Sequence, residues 1–187
     1  MAEFTVYDEE TAPEQARPML AGAQRRLGFV STLAGVMAES PELLAGYNAL
    51  FEKFQAASLP GPAKHVVLIT ASVANECAYC VAAHSTMALR ADLDRETVAK
   101  LRDSKPLDDP ALDAVRAFTR AVVEGRGWVD DERVDAFLAA GFTRRHLLDV
   151  ILGVGVKTLS NYTNHIAHMP LDPAWAQQQW MPQREHH

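Results

Sequence analysis

Asn75-Glu76-Cys77-Ala78-Tyr79-Cys80-Val81-Ala82-Ala83-His84 is the stretch on which the fold of this chain turns. Before it lies an apolar, alanine-rich segment that Pro62 opens and that reads as helix through about Ala74. After it the helical pattern continues to about Ala91. A break at Asn75-Glu76 folds the two segments into an antiparallel hairpin, and His65 and His84, about equidistant from the break, become neighbours. Without a break, a straight helix rising ~1.5 Å per residue would hold them roughly 28 Å apart. Neither Gly nor Pro enforces the turn, but the hairpin is expected.

The same stretch carries the chemistry. Cys77 and Cys80 are the only two cysteines in the chain. Spaced as Cys-x-x-Cys they are close enough to form a disulfide once one is oxidised. Cys80 and His84 stand at i and i+4 and share a helix face. If the pair opens a helix, the free N–H groups of its first turn favour thiolate over thiol. Such a unit can reduce a peroxide. A thiolate takes the distal oxygen and becomes a sulfenic acid, the other cysteine condenses with it to a disulfide, and an external dithiol restores the pair. Cys80 is assigned the attack and Cys77 the resolving role, because His84 can accept or relay the proton of Cys80. The opposite assignment stays open, since the more N-terminal cysteine of a helix-opening pair is often the more exposed thiolate.

Working outward, the chain reads as helix after helix. The first runs from about Pro13 to Arg26 with Pro18 as a possible kink, and ends at Gly28. A short helix follows over about Val30 to Ala38. Ser40-Pro41 caps a helix through about Ala57, stopped by Leu59-Pro60-Gly61. Asp94, Asp109-Pro110, Asp130 and Thr143 cap four later helices, the last running from about Arg144 to Ala167. One all-α domain over 13–173 is expected, with an extended arm at 1–12 and a Trp-containing tail at 174–187. A faint internal echo aligns His65, Val73 and His84 with His146, Val154 and His165. If real, it implies two related helical hairpins.

Composition bounds the rest. The chain has 187 residues, 48% apolar and 22% charged, ordinary values for a globular protein. The net charge of −6 and the lack of a basic stripe argue against nucleic acid and anionic lipid as partners. No run approaches the roughly 18 apolar residues of a membrane span. The first residues lack the basic and apolar blocks of a signal peptide, so a cytoplasmic location is expected. Glu185-His186-His187 is set aside as a possible tag remnant.

Cys77-Ala78-Tyr79-Cys80-Val81-Ala82-Ala83-His84, behind a Leu-Pro-Gly-Pro helix start, resembles the alkylhydroperoxidase D-like branch of the carboxymuconolactone decarboxylase family. Leu27-Gly28-Phe29-Val30 and the segment from Asn161 to His168, followed by Pro170-Leu171-Asp172, resemble its peroxidase-related members. The resemblance implies an all-helical fold, a homo-oligomer, and thiol-dependent reduction of organic hydroperoxides without a cofactor. It also implies that Cys80 is peroxidatic and that His84 belongs to a proton relay. One departure stands out: the family's relay usually includes a Glu where this chain has His65. The relay is then weakened, rebuilt with Glu76 or His165, or lost.

Other readings compete. Cys77, Cys80, His84 and His65 could form a Cys₂His₂ zinc site. The cysteines could be inert core residues of an oligomeric protein without catalysis. A lyase or decarboxylase of the same family would not need the thiols. Tyr79, between the sulfurs, reads mainly as packing, with a hydroxyl able to reach a peroxide oxygen as the lesser reading. Asn161, Asn164, His165 and His168 form a polar stripe on an apolar helix, either at a surface or reaching the redox pair through Asn164 and His165. Gly153 and Gly155 read as sites of close helix packing.

Overall fold

The computed structural model describes residues 3–182. The first two residues of the expected arm, and the end of the expected tail with Glu185-His186-His187, lie outside the described residues. Among the described residues nine α-helices follow in order: α1 Arg17–Leu27, α2 Thr32–Met37, α3 Pro41–Ala56, α4 Gly61–Ala74, α5 Ala78–Arg90, α6 Arg95–Arg102, α7 Pro110–Glu124, α8 Asp131–Ala139 and α9 Arg144–Ala167. A 3₁₀ turn, Pro173–Gln178, comes after them. Among the described residues there is no strand, and no helix is long and apolar enough to cross a membrane.

Local chemistry explains the boundaries. Ser40, Asp94, Asp109, Asp130 and Thr143 each accept a backbone N–H from the first turn that follows, and Pro41 and Pro110 occupy first-turn positions. At these positions a missing N–H removes no helical bond. The same rule moves the start of α1. Pro18 does not kink a helix begun at Pro13; it sits in the first turn of one that begins at Arg17. Gly28 ends α1 with φ +82°, left-handed backbone that glycine adopts without strain.

The break between α4 and α5 falls at Asn75-Glu76. The N–H of Glu76 bonds the carbonyl of Val73, and that of Cys77 bonds Ser72, both at 2.9 Å. This is the double closure of a Schellman turn, and it needs a left-handed residue at Glu76, whose φ is +53°. The faint internal echo does not correspond to a second hairpin. α4 and α5 form a hairpin, but the segment holding His146, Val154 and His165 is the single continuous helix α9.

α4 is the central helix, buried along most of its length and packed against α5, α6, α7 and α9. Gly153 of α9 meets it closely: a Cβ there would come within 2.6 Å of the Phe54 ring and 2.7 Å of Val67. Gly155 has open space instead. Asp149 accepts from the hydroxyl of Ser58 and the N–H of Leu59, which ties the entry to α4 onto α9. The main core joins Phe54, Leu68, Val115, Phe118 and Phe137. A second core gathers Leu20, Met37, Leu44 and Trp175 around Cys77, Tyr79 and Cys80.

Candidate active site

Cys77 is the residue just before α5, with extended backbone, and Cys80 lies in the helix's first turn. Both are free thiols, 0% and 2% exposed. Their surroundings are polar. The inner face of α9 brings Lys157, Ser160, Asn161 and Asn164 against them. Asn164 Oδ1 lies 3.6 Å from the Cys77 sulfur, within range of its one hydrogen. Asn161 Oδ1 accepts from Asn75 at 3.0 Å, while its buried Nδ2 has no partner of its own.

These neighbours split the two sulfurs. Burial by itself raises the Cys80 thiol. The Cys77 thiol donating to it, the Lys157 charge, and the Asn161 and Ser160 side chains together outweigh burial and bring Cys80 down to about 6. Cys77 moves the other way, raised by its bond to Cys80, by burial and by the negative charge beside it. One sulfur is thus held as an anion and the other as the thiol that donates to it.

His84 is buried one turn beyond Cys80, but its Nε2 is engaged by Lys157 Nζ at 2.8 Å. An ammonium has only donors, so Nε2 accepts and the ring hydrogen is on Nδ1. Burial, then the Lys157 charge, then His65, hold His84 well below the usual imidazole value. The ring is neutral. The hairpin does bring His65 close enough for its charge to be felt at His84. Burial also lowers His65, and its Nδ1 is buried without a partner.

The other candidates fall in different places. Tyr79 gives its hydroxyl proton to Asp172 Oδ2 at 2.6 Å and accepts from the N–H of Leu33 at 3.1 Å. Asp172 also takes the hydroxyl and N–H of Thr32. Trp175 packs edge-on against Tyr79 and Phe29. This network locks the C-terminal segment onto α5. Glu76 is exposed and lines a separate cavity of about 410 Å³ with Arg102, Arg116 and Arg120. His165 is exposed and stacks on Tyr162 at the outer face of α9.

Lys157, 1% exposed, is the residue that the sequence reading missed. Its signal was present: one cation inside the apolar run from Leu147 to Leu159, in register with Asn161 and Asn164 one and two turns on. The polar stripe of α9 therefore begins earlier than its asparagines suggest. An ammonium on His84 Nε2 is also the reverse of a metal-ligand arrangement. Among the described residues no three His, Cys, Asp or Glu side chains converge to hold an ion, so the geometry does not form the Cys₂His₂ alternative.

The description "carboxymuconolactone decarboxylase family" matches residues 41–124, which run from α3 to α7 and include both cysteines. No curated protein matches the chain. The chain superposes on solved structures over nearly its whole length. One is the debrominase Bmp8 in complex with 2,3,4-tribromopyrrole, with TM-score 0.81 and 21% identity over 95% of this chain and 96% of that one. Another is the alkylhydroperoxidase AhpD core of a peroxidase-related protein from Ralstonia eutropha JMP134, with TM-score 0.80 and 18% identity over 94% and 96%. A third is a peroxidase-related protein from Silicibacter sp. TM1040, with TM-score 0.77 and 18% identity over 93% and 95%. Identities this low speak to the fold alone. Residues 41–124 thus match the carboxymuconolactone decarboxylase family, and the chain as a whole has the alkylhydroperoxidase D-like fold of its peroxidase-related structural neighbours.

Proposed function

We propose that the protein is a cytoplasmic thiol-dependent peroxidase that reduces organic hydroperoxides through a Cys77–Cys80 disulfide. The observation that carries this reading is the division of labour between the sulfurs: Cys80 is biased to thiolate and the adjacent Cys77 to thiol. An attacking anion and a protonated resolving partner are what the cycle needs. Cys80 takes the distal oxygen, Cys77 condenses with the sulfenic acid and releases water, and an external dithiol returns both to thiols. His84 serves the proton traffic through its contact with Lys157. Asn164 fixes Cys77. His65, Glu76, Tyr79 and His165 support or border the site.

The working form is proposed to be a homo-oligomer. Leu148, Ile151, Tyr162 and Ile166 form an exposed apolar stripe along α9, on the side away from the thiols.

The debrominase neighbour favours one second reading. A thiolate that takes the halogen forms an S–halogen bond as the carbon–halogen bond breaks, the ring carbon takes a proton, and the second thiol expels halide to give the disulfide, so the same residues would reductively dehalogenate an arene.

Mass analysis after one equivalent of an alkyl hydroperoxide tests the proposal. The expected product is a loss of two hydrogens through a Cys77–Cys80 bond. Cys80→Ser should abolish consumption, and Cys77→Ser should stall at the sulfenic acid. A Cys80→Ser variant that consumes peroxide at the original rate refutes it. Activity that persists after both cysteines become Ser points to the lyase alternative. Disulfide formation with a bromopyrrole but no hydroperoxide selects the second reading.

A further inference from the structure

Lys157 is buried on the inner face of α9 with two hydrogen-bond partners, His84 Nε2 at 2.8 Å and Ser160 Oγ at 2.9 Å. Both partners are neutral. Among the described residues no carboxylate pairs with Lys157. A buried ammonium is not sustained without an opposite charge, and Cys80, one turn before His84 on α5 and close enough to feel the Lys157 charge, is the group able to supply one. Two bonds also leave one N–H of the ammonium free. His84 cannot fill the role of acid in its place: its Nε2 is occupied as an acceptor, and the Lys157 ammonium on it would repel an imidazolium.

We infer that Lys157 is the general acid of this site: it pairs with the Cys80 thiolate in the reduced enzyme and gives its proton to the departing alkoxide. This inference rests on the peroxidase reading. The S–O bond forms as the O–O bond breaks. Cys80 becomes the sulfenic acid, and the alkoxide takes a proton from Lys157 and leaves as the alcohol. The thiol of Cys77 then displaces water from Cys80 to give the disulfide. The pair of thiols has lost two electrons, the peroxide has gained them, and Lys157 ends as a neutral amine. When an external dithiol reduces the disulfide, two protons enter, one remaining on Cys77 and one on Lys157, and Cys80 is again the anion.

The site is therefore neutral in both states. The thiolate and the ammonium appear together and vanish together, so neither buried charge is left alone during turnover. His84 and Ser160 are positioning residues that hold Nζ in place through the cycle.

Leaving-group dependence separates an acid from a merely structural lysine. The probes are cumene hydroperoxide, whose alkoxide needs a proton to leave, and peroxybenzoic acid, whose carboxylate does not. The readout is the single-turnover rate of Cys77–Cys80 disulfide formation with each. Their ratio at one pH cancels the fraction of Cys80 ionised. In Lys157→Met and Lys157→Arg, cumene hydroperoxide should slow by about 10²–10⁴-fold relative to peroxybenzoic acid, the usual reach of general acid catalysis. Lys157→Arg keeps the charge, so its Cys80 should still be alkylated by iodoacetamide at pH 7 within a few-fold of wild type. Circular dichroism identifies a misfolded variant, and the arginine form decides if the methionine form fails to fold. An unchanged ratio in a folded variant overturns the acid role. A wild-type protein that forms no disulfide with either oxidant overturns the peroxidase reading itself.

Discussion

Cys80 is an anion in a place where burial alone would make it a thiol, and that has a thermodynamic signature. Its folded value is near 6, whereas an ordinary cysteine titrates near 9.0. Between these limits the unfolded chain binds a proton that the folded chain does not, so stability rises with pH there and the gain is lost as pH falls through about 6. The window from pH 7 to 8.5 lies above the imidazole range. Across it, denaturant midpoints of wild type should climb relative to those of Cys80→Ser. Parallel midpoints would mean that Cys80 is protonated in the fold. The sequence made the two sulfurs and His84 legible because they share one short stretch. It did not make Lys157 legible, because a lone lysine in an apolar helix acquires meaning only when a hairpin far away in the chain supplies its partners.

The hairpin between α4 and α5 is the element on which the site depends. Its turn was readable at Asn75-Glu76 although the usual glycine is missing. The Schellman bonds form anyway, with Glu76 carrying left-handed backbone at φ +53°. A non-glycine residue bears a penalty of about 1–2 kcal/mol in that region. Glu76→Gly should therefore stabilise the protein by roughly 0.5–1 kcal/mol once glycine's greater unfolded-state freedom is deducted, measured as a shift in denaturant midpoint at unchanged slope. A destabilised Glu76→Gly would show that the carboxylate itself holds the turn, across the arginine-lined cavity. Helix starts were legible for a plain reason: Ser40, Asp94, Asp109, Asp130 and Thr143 cap their own first turns, and a cap is a local signal. The echo between His65–His84 and His146–His165 misled because matching residues do not encode a matching turn. Nothing near Val154 reproduces the reversal at Glu76.

At the scale of the whole molecule, α9 serves two sides. Its inner face carries Lys157, Ser160, Asn161 and Asn164 to the thiols, and its outer face leaves Leu148, Ile151, Tyr162 and Ile166 in solvent at 52–67% exposure. If a second copy covers the outer stripe, Ile151→Glu should shift the protein to monomer in light scattering at micromolar concentration, with folded helical content unchanged. A wild-type protein already monomeric there would remove the oligomer from the proposal. The sequence pattern gave the helical class and the polar stripe of α9. It did not show which way that stripe faced, because facing is set by Gly153 seating α9 on Phe54 and Val67.

Asp172 and Trp175 hold Tyr79, which lies between the two cysteines in the sequence. During synthesis, then, a ribosome-bound chain that has not yet extended beyond Pro170 already displays its Cys-x-x-Cys turn but lacks the clamp on it. The anchoring of Tyr79 is acquired only with the last stretch of translation.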